Sequence, residues 1–288
     1  MRIGTCILLL QLFLFSCTAG ETTSATKVKP STSSLAKQEG GPALQRTEFA
    51  SFDGTKISYL DGLEGEPVIL LHGFLNTAAS WAGTPLVDQL QRQGFRAIIP
   101  DLRGNGESGK PQTDAAYADN AEVKDLQLLL DHLKLDSVRA VGYSRGSIVL
   151  TKWLTEEPRI TRAVIGGMGV DFTDPEWPRR KAFAAAFGGA EPTELTGGAV
   201  AYARSIDADF PSLRLQQLHQ PVTSPEEIRR ITIPVIVIAG NEDKDNGNPG
   251  RLEQLFPSGK LNILPGDHDG TYRTEIFGAA AMAFLKQG

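Results

Sequence analysis

Apolar positions along this chain gather into short runs at residues 68–71, 96–100, 138–141, 163–166, 234–239 and 261–264, interrupted only by Arg96, Arg139 and Asn262. Near-continuous apolar runs of that length suit strands buried on both faces, as in a parallel sheet covered by helices. Between them the period changes. Within residues 120–133, Val123, Leu126, Leu130 and Leu133 recur at helical spacing, and residues 148–154 read as a second helix. Near the start, residues 47–52 and 55–60 flank Asp53-Gly54, which predicts an opening hairpin because that dipeptide accommodates the positive φ of a tight turn. Strands alternating with helices predict an α/β architecture with a mostly parallel central sheet.

Residues 171–230 interrupt this rhythm between the sixth and seventh predicted strands. The stretch carries Trp177, Phe183, Phe187, Tyr202 and Phe210 together with the alanine-rich run 182–186. It predicts a small helical lid over the strand ends, where open α/β sheets bind ligands. Its aromatics either line a pocket or pack the lid onto the core.

The chain has 288 residues. Its first part does not resemble the rest. Residues 1–16 combine a basic start at Arg2 with an apolar stretch too short to span a bilayer, which predicts a secretory signal. Leu14-Phe15-Ser16-Cys17 resembles a bacterial lipobox, which implies a lipid (palmitate-type acyl) anchor on Cys17. In that family Thr18 after the cysteine directs the protein to the outer membrane of the cell envelope. Ordinary cleavage after Ala19 would instead leave a periplasmic or secreted protein. Residues 17–45 are mostly Ser, Thr, Lys and Gly without apolar periodicity and read as a disordered tether. Residues 46–288, about 240, suffice for one α/β domain with a single large core. Both cysteines, Cys6 and Cys17, fall in the signal region, so the domain relies on its core without disulfides. The formal charge is -5 and no Lys/Arg cluster lies along a helix face, which argues against a nucleic-acid partner.

The candidate chemistry starts at Gly142-Tyr143-Ser144-Arg145-Gly146, between a predicted strand and a predicted helix. G-x-S-x-G on a strand-to-helix turn forces its serine outward, where the hydroxyl can reach a substrate. Alone the motif is weak. Its weight comes from partners that also follow predicted strands: His72-Gly73-Phe74, Gly240-Asn241-Glu242-Asp243 and Gly266-Asp267-His268. The chain order is thus nucleophile, acid, base. Asp101-Leu102-Arg103-Gly104-Asn105-Gly106-Glu107-Ser108 adds a D-x-R-G-x-G-x-S loop.

On these residues the region from Thr47 to Phe284 resembles the α/β-hydrolase fold superfamily, in its serine esterase and lipase branch. The resemblance implies Ser144 as nucleophile, His268 as base and Asp243 as acid, with Asp171 as the alternative acid after the preceding strand. It implies an oxyanion hole from the backbone N–H groups of Phe74 and Arg145, and substrate contacts from Phe74, Tyr143 and Trp177. It implies no cofactor. Two departures stand out: Ser147 where many members carry glycine, and aspartates on both sides of His268. Of the other histidines, His72 reads as shaping the oxyanion loop and His132 as solvated, while His219 in the lid is open. No histidine pair has metal-ligand spacing, and the acidic stretch 241–247 departs from an EF-hand loop.

An epoxide hydrolase or haloalkane dehalogenase needs a carboxylate nucleophile, so Ser144 favours acyl transfer to water. The expected function is hydrolysis of a small or medium carboxylic ester, lactone or thioester. A C–C hydrolase and a cofactor-free perhydrolase or haloperoxidase use the same triad. From another class, a catalytically silent ligand-binding lipoprotein would keep the fold. Expected partners are a small-molecule ester and, through the lipid, a membrane; oligomeric state is left open.

Overall fold

In a computed structural model that describes residues 43–62 and 64–287, eight strands form one sheet. They are β1 (Gln45–Ala50), β2 (Lys56–Asp61), β3 (Glu66–Leu71), β4 (Phe95–Pro100), β5 (Val138–Tyr143), β6 (Ile160–Gly166), β7 (Val235–Gly240) and β8 (Gly259–Leu264). Their spatial order is β1-β2-β4-β3-β5-β6-β7-β8. The first three in that order pair antiparallel and the rest parallel. The predicted signal, Cys17 and residues 17–42 of the predicted tether lie outside the described residues. Gln45, assigned from composition to the tether, belongs instead to β1, where it pairs with Asp61. A polar residue on an edge strand carries no hydrophobic mark, and the ladder claims it.

Alternate residues of the central strands supply two cores, as the period of two along a strand requires. From β3, Ile69 and Leu71 face one side and Val68 and Leu70 the other. The first side is covered by α2 (Ala121–Leu133), α3 (Arg145–Leu154) and α8 (Pro249–Glu253), through Val123, Leu126, Ile148, Trp153 and Leu252. The second is covered by α1 (Pro85–Arg92) and α9 (Glu275–Leu285), through Leu86, Leu90, Phe277 and Phe284. Helix starts follow local chemistry. Thr84 caps α1 by accepting from the Val87 N–H, with Pro85 in the first turn, and Thr274 caps α9 in the same way through Phe277.

Between β6 and β7 stand α4 (Pro178–Phe187), α5 (Gly197–Ser205), α6 (Phe210–Leu218) and the short α7 (Pro225–Ile228). This is the predicted lid at the predicted place. Phe183, Ala186 and Phe187 of α4 pack with Val200, Ala203 and Leu213, so the lid owns a small core. Among the described residues, no helix is long and apolar enough to cross a membrane.

The order places the site. The chain steps from β3 outward to β4, then returns to the other side of β3 for β5. The carboxyl ends of β3 and β5 therefore diverge at a switch point, which opens a crevice there. The loop after β3 is His72-Gly73-Phe74 and the turn after β5 holds Ser144.

Candidate active site

Ser144 adopts φ 54 and ψ -125, in the left-handed half of the map that costs a non-glycine residue about 1–3 kcal/mol. Packing around it holds that strain. A Cβ on Gly146 would stand 2.3 Å from the Leu71 carbonyl oxygen, and one on Gly142 would stand 2.6 Å from that of Gly146. Only glycine lets α3 sit this close to β3 and β5. Gly73 packs against Ser144 Cβ, which brings the loop after β3 directly beside the serine.

The loop following β8 delivers His268. Its Nε2 lies 2.9 Å from Ser144 Oγ and its Nδ1 lies 2.7 Å from Asp243 Oδ2. One tautomer satisfies both contacts: the serine hydroxyl donates to Nε2, and Nδ1–H donates to the carboxylate. The Asp243 side chain is 4% exposed, and its Oδ1 has no hydrogen-bond partner among the described residues. The imidazole is thus the one group that shares the carboxylate's charge. Asp171 lies elsewhere, its carboxylate against Gly247. Between the two acids weighed from sequence, the imidazole bonds Asp243.

Phe74 and Arg145, whose amides are expected to meet an oxyanion, both line the cavity that holds Ser144. Phe74 N–H has no acceptor among the described residues. Arg145 N–H is the first amide of α3, and the opening amides of a helix lack an intrahelical partner. The Arg145 side chain turns away. It makes a bidentate pair with buried Glu122 at 2.9 and 2.6 Å and donates to the Gln216 carbonyl of α6 at 3.2 Å.

His72 shapes the oxyanion loop, as read from sequence. Its Nδ1–H donates to the Gly73 carbonyl at 2.8 Å while Nε2 accepts from Leu102 N–H at 3.1 Å. Burial holds its pKa below the ordinary 6.5, against the Gly73 bond and the Asp101 charge that favour protonation. The D-x-R-G-x-G-x-S loop braces the same region. Asp101 accepts from Ala78 N–H at 2.6 Å and from Arg46 at 2.7 Å, and fully buried Arg103 forks onto Asp125 at 2.7 and 2.6 Å. Gln216 ties the lid to this loop through Asn105 at 2.6 Å, and His219 of the lid meets Asp114 at 2.9 Å. His132 is exposed, with its ring stacked on Phe49.

A cavity of about 550 Å³ opens over Ser144 and His268. Phe74, Tyr143 and Trp177, the expected substrate contacts, all line it. Phe74 stands edge-on to Phe183 and Phe187 of α4. Tyr143 is nearly buried; its phenol, kept protonated by burial, donates to the His268 carbonyl at 2.7 Å. Trp177 also belongs to the hydrophobic core that includes Ile148 and Trp153 of α3. Sequence reasoning missed Asn246, whose Nδ2 lies 3.3 Å from His268 Nδ1, and the lining arginines Arg179, Arg180 and Arg273. Nothing marks Asn246 in the sequence, whereas the Arg-Arg pair opening a lid helix was visible there.

Sheet order, elbow and lid together define a protein of α/β-hydrolase fold with serine at the elbow. A family model described as "alpha/beta hydrolase fold" matches residues 66–186. "Epoxide hydrolase 3" of Siraitia grosvenorii is 33% identical over 138 residues, covering 47% of this chain and 43% of that one. The chain thus spans less than half the length of that curated relative. Among solved structures, a bromoperoxidase from Bacillus anthracis superposes with TM-score 0.70 at 21% identity, covering 84% of this chain and 100% of the other. An enol-lactonase from Burkholderia xenovorans LB400 superposes with TM-score 0.67 at 21% identity, covering 84% and 100%.

Proposed function

We propose that the protein is a serine hydrolase that cleaves a small or medium carboxylic ester or lactone through an acyl-enzyme on Ser144. The observation that carries this reading is the unbroken hydrogen-bond chain from Ser144 through His268 to Asp243 at the floor of the cavity. Ser144 Oγ attacks the carbonyl carbon as His268 Nε2 takes its proton, and Asp243 stabilises the imidazolium. The carbonyl oxygen becomes an oxyanion that the Phe74 and Arg145 amides receive. Each such donor is worth about a hundredfold in rate. His268 returns the proton to the leaving oxygen, then removes one from the water that attacks the acyl-enzyme.

The likeness to an epoxide hydrolase does not redirect this reading. Opening an epoxide through a covalent alkyl ester requires a carboxylate nucleophile, and this elbow carries a hydroxyl. The test is hydrolysis of p-nitrophenyl acyl esters of increasing chain length, alongside labelling by a fluorophosphonate probe. Turnover and labelling that vanish in Ser144→Ala support the reading; neither in the wild type overturns it and leaves the cavity to a binding role. We further propose that lipid on Cys17 holds the domain at a bacterial envelope. Failure of Cys17→Ala to release the full-length protein from the membrane fraction would sink that idea.

A further inference from the structure

The first turn of α4 is built against its own electrostatics. Trp177 at its N-cap makes no side-chain capping bond, the turn holds no acidic residue, and Arg179 and Arg180 occupy it instead. The start of a helix carries a partial positive charge, so carboxylates belong there and cations are unfavourable. Local rules broken in this way mark sites where something else supplies the compensation. Trp177, Arg179, Arg180 and Arg273 all line the cavity over Ser144.

The protein's own carboxylates neutralise this cluster only in part. Arg145, which also lines the cavity, is matched by Glu122 in a buried bidentate pair. Arg179 reaches Asp245 only at 3.5 Å, beyond the 2.7–2.9 Å of a charge-assisted bond. Arg180 donates to the Pro175 main-chain carbonyl, which leaves its charge intact. Arg273 lies over the Tyr272 ring, 4.7 Å from its centroid. Neither Arg180 nor Arg273 has a carboxylate within ion-pair distance among the described residues. Two exposed carboxylates on the rim, Asp245 and Asp269, stand against these three guanidiniums on a chain of net charge -5. The intervening walls are aromatic. Arg179 sits on Phe183, which meets Phe74, and Tyr272 packs on Tyr143 beside the serine.

We infer that the cavity takes an anionic ester: one that carries a carboxylate several bonds from the scissile carbonyl, held by the arginines while an apolar spacer lies on the aromatic walls. This rests on the serine-hydrolase reading above and names its substrate class. Guanidinium forks match carboxylates geometrically, and a partly water-exposed charge pair or two changes kcat/KM by about tenfold.

The test compares matched esters. One pair places the charge on the acyl side, 4-nitrophenyl hydrogen adipate against 4-nitrophenyl hexanoate; the other places it on the leaving group, 4-butyryloxybenzoate against its carboxamide. Uncatalysed hydrolysis is subtracted. The expected result is a preference of about tenfold for the anion in at least one pair, reduced by added salt. Arg180→Gln and Arg273→Gln should shrink that ratio, chiefly through KM. Free adipate should slow fluorophosphonate labelling of Ser144, and less so in the variants. Turnover without preference in either pair, or variants that lower both members equally, overturns the anionic substrate and leaves the hydrolase standing. If Ser144 labels but no ester turns over, adipate protection decides, and its absence overturns the inference. No labelling at all removes the hydrolase and this inference with it.

Discussion

Ser147 Oγ bonds both backbone groups of Gly166, donating to its carbonyl at 2.8 Å and accepting from its N–H at 3.0 Å. The same carbonyl accepts from Ser144 N–H at 2.8 Å. A side chain in the first turn of α3 thereby fastens the elbow to the end of β6. This gives a structural role to Ser147, one of the two departures noted in the sequence.

Ser147→Ala should therefore cost about 1–2 kcal/mol, the usual price of stranding a buried backbone group. Urea unfolding with fluorescence detection checks this. A midpoint unchanged from wild type would mean that the two bonds contribute nothing net.

Gly146→Ala is expected to be far more damaging. Its methyl group would meet the Leu71 carbonyl at 2.3 Å, and backbone on both sides has nowhere to retreat. Soluble yield should collapse, or stability should fall by about 3 kcal/mol or more, as overpacking at its worst does. A variant that folds with normal stability would show that α3 can lift away from β3.

Asp243→Asn should lower kcat by about four orders of magnitude, because an amide there favours the wrong imidazole tautomer. Asp171→Asn should change it less than twofold. Steady-state kinetics on any ester the protein cleaves separates the two; the reverse pattern would move the acid to the loop after β6.

His72 gives stability a pH dependence of known sign. Its folded pKa is depressed by burial, so the unfolded chain binds its proton more readily than the folded one does. The contribution is fully present above the unfolded value of 6.5 and is lost as pH falls from there toward the lower folded value. Urea midpoints should decline over that window, and His72→Gln should flatten this part of the slope whatever it does to absolute stability.

Most of the fold was legible because its central strands are buried on both faces, and such strands are near-continuous apolar runs. Val235–Gly240 announces itself in this way, and Val138–Tyr143 does so with one interruption, at Arg139. The outer strand Gly259–Leu264 was visible only from Leu261 onward, since Gly259 and Lys260 carry no apolar side chain, although Leu261 and Ile263 are themselves exposed on this edge. Ser144, Asp243 and His268 could be found because each follows a strand end, a place that sequence marks. Arg145 with Glu122, and Gln216 with Asn105, could not be paired beforehand. Those contacts join segments far apart in the chain, and each member alone reads as an ordinary polar residue on a helix or loop.

Arg145 has an amide at the start of α3 and a guanidinium that grips the underside of the lid through the Gln216 carbonyl. Its Nε already has no acceptor among the described residues. Replacing the lid by one of different length or sequence would therefore be more than a change of roof. Unless the new segment returned a main-chain oxygen to the same spot, a cation would be left partly stranded in a dry place, one residue from the nucleophile. Lid and elbow are coupled through this one guanidinium, which keeps its pair with Glu122, so recombination that cuts between them should yield chimeras of reduced stability even where the pocket itself would fit.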